Sequence, residues 1–190
     1  MPEEIRIPKQ KRSIEKKEAL KKAAVELFST KGFHNTSSNE IAKKANVSIG
    51  TFYSYFVDKK SLYEELITDL YNESLQEITI MDVSEITSPW EFVRRYVALI
   101  LHNHEYMTAF QKEISALSLQ YDDLHELEAK ARAGAFQTFF SLLEANKKML
   151  RISDLKTTSL ILQCALESVV HEVTFYENDY DKEKVIDALT

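Results

Sequence analysis

The chain is poor in residues that break helices and in those that cross-link or ligate: of 190 residues, three are Gly, three Pro and one Cys. With so few turn formers, and no run of Val, Ile and Thr alternating with polar residues, the composition argues against a sheet-rich fold and predicts an all-α one. The single Cys164 excludes an intrachain disulfide and fits a reducing compartment. It lies among apolar residues and is expected to be buried filler. No apolar run reaches the roughly 18 residues of a membrane span, and the N-terminus lacks a signal-peptide core, so a cytoplasmic location is expected. His102 and His104 are two apart and point to different sides of a helix, while His125 and His171 have Glu126 and Glu172 directly beside them, the wrong spacing for one face. No HxxxH or CxxC occurs, so neither a metal nor a cofactor is expected. Nor is there a phosphate-cradling Gly loop, a nucleophile elbow or a compact acid/base constellation, which leaves a catalytic reading without an anchor.

What is present is a segregated charge. The whole chain carries −6, but Met1 to Leu62 holds 13 Lys or Arg against 7 Asp or Glu, a net of +6, and the rest holds 11 against 23, a net of −12. A basic head can pair with phosphates while an acidic body is repelled from them.

Within that head, Lys31 to Leu62 has the grammar of a helix-turn-helix. Ser37 with Glu40 three residues on is a capping box that opens a short helix whose apolar stripe is Ile41, Ala42 and Ala45. Asn46 can take the left-handed conformation that ends the helix, and Val47 can tuck in behind the turn. Ser48 can cap the next helix, with Phe52 and Phe56 anchoring one face. That leaves Ile49, Gly50, Thr51, Tyr53, Ser54 and Tyr55 on the other faces, outward and near the helix start, as docking in the major groove requires.

These residues resemble the DNA-binding domain of the TetR family of one-component transcriptional regulators. The matching positions are Gly32, Phe33, Thr36, Ile41, Ala42, Val47, Ser48, Gly50, Tyr53, Phe56, Lys59 and Leu62. The resemblance implies recognition-helix contacts around Gly50, Thr51, Tyr53 and Tyr55, and phosphate contacts from Ser37 or Ser38, Ser48 and Lys59. It departs from the family at Ser38, often apolar there, at Asn46, usually Gly, and at Ile49, frequently polar or basic.

The helix-turn-helix has a helix before it and a long one after. Residues 1–12, with Lys9, Lys11 and Arg12, read as an arm that is either solvated or reaches a neighbouring groove. Ser13 is expected to cap a helix with Leu20, Ala23, Ala24, Leu27 and Phe28 inside and Lys16, Lys17, Lys21 and Lys22 largely outside. Gly32 ends it. Asp58 is expected to cap a helix running to about Glu77, whose first turn carries Lys59 and Lys60 at the end the helix dipole disfavours, implying a compensating partner such as a DNA phosphate. The domain boundary is placed at Leu62, with 1–62 the DNA-binding domain and 63–190 a helical ligand-binding and dimerisation domain.

In that body a polar connection around Met81 to Thr87 leads to Ser88 and Pro89, which open a helix to about Asn103. Further helices are expected from His104 to about Gln120, from Asp122 or Asp123 through Leu143, and from Asp154 through Val173. The last is apolar on more than one side, which calls for a second burial partner, most simply a second copy of the chain. The resemblance also places a dimer on the last two helices. A final pattern from Asp181 holds only two turns, from which a continuation beyond Thr190 is expected.

Aromatic residues concentrate between Trp90 and Phe140. Singly they read as core, but the resemblance implies an effector cavity lined by some of Tyr96, Phe110, Phe136, Phe139 and Phe140, suited to an acyl chain or a lipophilic drug. Glu113 or Glu144 facing inward would favour a cation. The reading that results is a ligand-responsive regulator, most simply a repressor, binding a palindromic operator as a homodimer and released by a hydrophobic or amphipathic effector. Two alternatives stay open: a small-molecule-binding protein or enzyme with a vestigial DNA head, and a DNA-binding protein regulated by a protein partner.

Overall fold

The computed structural model describes residues 10–80, 88–105, 108–150, 152–176 and 179–189. Among these the regular elements are helical: α1 (Lys11–Lys31), α2 (Ser38–Lys44), α3 (Ile49–Tyr55), α4 (Lys59–Ile80), α5 (Pro89–Glu105), α6 (Thr108–Ser118), α7 (Asp122–Ala145), α8 (Leu155–Phe175) and α9 (Lys182–Leu189), with a 3-10 turn at Lys147–Met149. The arm up to Lys9, the connection Met81 to Thr87, Met107 and Thr190 lie outside the described residues.

Most boundaries follow from local chemistry. The capping box at Ser37 and Glu40 forms in full, Ser48 accepts from the Thr51 amide, and Asp58 accepts from the Ser61 amide at 2.8 Å. Ser88 accepts from the Glu91 amide, and Asp154 from that of Thr157. One expected cap is corrected. Helix α1 starts at Lys11 after Gln10, and Ser13 is already inside it, buried, its amide donating to the Gln10 carbonyl at 2.8 Å. Lys11 and Arg12 are good helix formers and need no hydroxyl to begin. A second boundary also moves: His104 belongs to α5, and α6 starts at Thr108.

The chain packs as two compact units. Of the described residues, one unit holds 10–70 and 109–124 and the other the remainder, so α6 from Ala109 belongs with the head although it follows α5 in sequence. The head's core is aromatic: the Tyr63 ring sits 5.2 Å from Phe28, 5.1 Å from Phe33 and 4.9 Å from Phe110. Burying three or four such rings stabilises the unit by several kcal/mol, about 1.5–3 for each large apolar side chain. Phe110 therefore fills the head's core, which corrects its expected place among effector-lining residues of the body.

The body's core joins Phe92, Tyr96, Val97, Ile100 and Leu101 of α5 to Phe139 and Leu143 of α7 and to Leu166, Val170 and Val173 of α8. Tyr96 and Phe139 lie 4.7 Å apart. Burial, and secondarily the charge of Glu167, pushes the Tyr96 hydroxyl up. Phe136 and Phe140 stack at 6.1 Å and are half-buried. Leu160, Ile161 and Leu162 of α8 stay exposed, and so does Cys164, contrary to the expected buried filler. Apolar residues ring this helix, and the core takes only the side with Ser159, Gln163, Leu166 and Val170. Among the described residues no helix is long and apolar enough to cross a membrane.

Candidate nucleic-acid interface

The turn between α2 and α3 is built by three backbone donors. Ala45 donates to Ile41, Asn46 to Lys43 and Val47 to Ala42, the last at 3.0 Å. Asn46 supplies the positive φ of 54° that this chain reversal needs, a conformation its short polar side chain tolerates better than a branched one. Val47 is half-buried behind it, as expected.

Phe52 and Phe56 anchor α3, their rings 5.7 Å apart. The remaining faces divide. Tyr53 is 49% exposed and Gly50 is exposed, while Ile49, Thr51 and Ser54 are half-buried. Tyr55 is only 4% exposed, which corrects its expected outward position. It follows Phe52 by three residues and so turns to the same face as that anchor. At Gly50 an added Cβ would meet only the Ser48 Oγ, at 3.8 Å, so the fold gives no steric reason for glycine there. A bare backbone on the exposed start of α3 is what close approach by a large partner would use. Asn39, Ala42, Lys43, Asn46, Val47, Ser48 and Ile49 line an open groove of about 520 Å³ along this turn.

The lysines sort by partner. Lys17 pairs with Glu65 at 2.7 Å, and Lys21 with Asp69 and, at 3.7 Å, Glu65. Lys31 pairs with Glu40 and Lys44 with Glu26. Burial lowers the Lys21 ammonium, but the hydrogen bond and charge of Asp69 raise it on balance. Lys17 and Lys21 thus brace α1 against α4 instead of forming a phosphate-facing stripe. Lys16, Lys22 and Lys43 make no ion pair among the described residues. Lys43 lies on the exposed side of α2, away from the apolar stripe that makes this helix legible in the sequence. Its position three residues before Asn46 was the available signal.

Lys59 is also reassigned. Its ammonium donates to the carbonyls of Phe33, Thr36 and His34 at 2.6, 2.8 and 3.4 Å and stands 4.4 Å above the Phe33 ring. Burial lowers its pKa, partly countered by the charge of Glu113. The compensation expected from a DNA phosphate comes instead from the loop between α1 and α2. Lys60 pairs with Asp123 and stands 5.1 Å above the Tyr121 ring. Of the body carboxylates considered as inward-facing, Glu113 bonds the Phe33 amide in the head and Glu144 is exposed.

The assembled features are a tight turn, a short helix with Gly50 and Tyr53 exposed, two intact caps and, beside the turn, Lys43 with no ion pair among the described residues. They agree with the comparisons. The profile described as "Bacterial regulatory proteins, tetR family" matches residues 20–66, from mid-α1 into α4. The HTH-type transcriptional regulator YdgC of Bacillus subtilis is 41% identical over 61 residues, 32% of this chain and 31% of that protein. The chain thus spans about a third to less than half the length of such curated relatives. The fatty acid degradation regulator FadR from Bacillus halodurans superposes with a TM-score of 0.75 at 19% identity, covering 96% of this chain and 94% of that one. FadR from Bacillus subtilis in complex with stearoyl-CoA gives 0.74 at 17% identity, covering 90% and 94%. At these identities the two structures establish the fold. Residues 20–66 thus carry the helix-turn-helix of the tetR family of bacterial regulatory proteins, and the chain as a whole has the fold of the two FadR structures.

Proposed function

We propose that the chain is a ligand-responsive repressor that binds a two-fold operator as a homodimer. The observation that carries this is the start of α3, where Gly50 and Tyr53 are exposed and Thr51 is half-buried between them. Ile49, Gly50, Thr51 and Tyr53 read base edges, while Ser37, Ser38, Ser48 and Lys43 hold phosphates and set the register. Tyr55 and Lys59 support this surface from beneath.

Leu160, Ile161 and Leu162 on α8 supply the apolar face for a second copy. A two-fold dimer places its recognition helices about 34–36 Å apart, one turn of B-DNA, so a few Å of spreading weakens binding sharply. An effector that prefers one body conformation changes that spacing through α4, which begins in the head and ends in the body. For the effector we propose a long-chain acyl compound, taken up between the helices that carry Tyr96, Phe136, Phe139 and Phe140. Support comes from the concentration of these aromatic residues on α5 and α7 and from the stearoyl-CoA complex of a protein of the same fold.

Selection of duplex DNA from a random pool, followed by release with stearoyl-CoA, tests both halves. An inverted repeat with half-sites one turn apart and loss of binding on adding the acyl-CoA are expected. Equal binding with and without it removes the effector assignment and leaves the DNA assignment standing.

A further inference from the structure

The loop Gly32–Thr36, which ends α1 and leads into α2, is gripped from two sides. On one, Lys59 takes the carbonyls of Phe33, His34 and Thr36. On the other, Glu113 of α6 accepts the Phe33 amide proton at 2.6 Å, a charge-assisted bond at the short end of the usual range. Glu113 is half-buried, and its other oxygen, Oε2, is buried and makes no hydrogen bond among the described residues. The loop has little freedom of its own: Gly32 holds a φ of 78°, and a Cβ placed there would come to 3.0 Å from the Glu113 carboxylate. Thr36, buried, ties back to the Gly32 carbonyl at 2.9 Å. Residues 109–124 pack with the head, whereas the chain on either side of them packs with the body.

We propose that Glu113 is a positioning residue for DNA recognition: its bond to the Phe33 amide fixes the loop after α1 and with it the placement of α2 and α3. It rests on the DNA-binding reading.

The test uses the full chain and the duplex that the wild-type protein selects from a random pool. Failure to select any duplex overturns the DNA-binding reading and this proposal with it. With a duplex in hand, Glu113→Leu is expected to bind it about tenfold or more weakly while holding an unrelated duplex as before and keeping the same salt dependence, since no phosphate contact has been removed. Glu113→Gln, whose amide oxygen still accepts, recovers most of the loss. Hydrogen exchange at the Phe33 amide accelerates in the Leu variant and stays slow in the Gln variant. Wild-type affinity in Glu113→Leu, or equal proportional loss on both duplexes, overturns the proposal and leaves the DNA-binding reading intact. Should the Leu variant not fold, Glu113→Asp serves, keeping the charge but falling one methylene short. Faster Phe33 exchange with a loss confined to the selected duplex supports the assignment, and wild-type behaviour in both overturns it.

Discussion

Single residues of the recognition helix separate folding from binding. Gly50 sits in a helix where Ala would be favoured by up to about 1 kcal/mol, and nothing nearer than 3.8 Å opposes a methyl group. Gly50→Ala is therefore expected to leave the melting temperature unchanged or raise it while weakening DNA binding, as read by thermal unfolding and duplex titration. Tyr55→Ala should do the reverse of a surface change, costing about 3 kcal/mol in urea unfolding because a buried ring is removed. Glu40 gives the pH dependence. The Lys31 ammonium and the Ser37 backbone and hydroxyl hold its carboxyl down to about 2, from an ordinary 4.5. Its contribution is thus fully present above the unfolded value and is lost as acid protonates it toward the folded one. Acid titration of α2, followed by amide signals at Ser37 and Glu40, should show that end of the helix loosening between pH 4.5 and 2. Loosening that begins near neutrality would contradict the assignment. Tyr53 and Tyr55 mark the limit of reading residues from sequence. Two tyrosines two residues apart look alike there, and only the three-residue step from Phe52 tells which one the core takes.

At the scale of elements, the sequence was most legible where a cap or a turn is local chemistry. The helices opened by Ser37, Ser48, Asp58, Ser88 and Asp154 begin where the side chains say they must. The misplaced start of α1 and the shift of α6 arose where no such signal exists. Asn46 is the hinge of the functional pair, and its φ of 54° costs an ordinary residue about 1–2 kcal/mol. Asn46→Ala is expected to lower stability by about 1 kcal/mol and to weaken DNA binding further than that loss explains, whereas Asn46→Gly keeps both. Equal effects of the two substitutions would detach the turn from recognition. Partnerships across long separations were not legible. Nothing local in the sequence pairs Lys59 with the carbonyls of residues 33–36 or Glu113 with the Phe33 amide, because both depend on which helices become neighbours.

Across the whole molecule, residues 1–62 carry +6 and the rest −12, but the packed head also takes in the acidic Glu64, Glu65, Asp69, Glu113, Asp122 and Asp123. Attraction to DNA therefore rests on single lysines, and Lys16, Lys22 and Lys43, which form no ion pair among the described residues, are left for phosphates. In the proposed dimer α8 forms the interface, so a double substitution Leu160→Glu and Ile161→Glu should yield a monomer in sedimentation and cut operator affinity, since one half-site is then lost. A dimer that survives the change would move the interface elsewhere. The most direct measurement is a titration of the selected duplex by the wild type and by a Thr51→Ala, Tyr53→Ala variant across a range of salt concentrations. The variant is expected to keep its fold and its salt slope but to bind the selected duplex no better than an unrelated one. Undiminished preference for the selected duplex would contradict the claim that α3 reads the DNA.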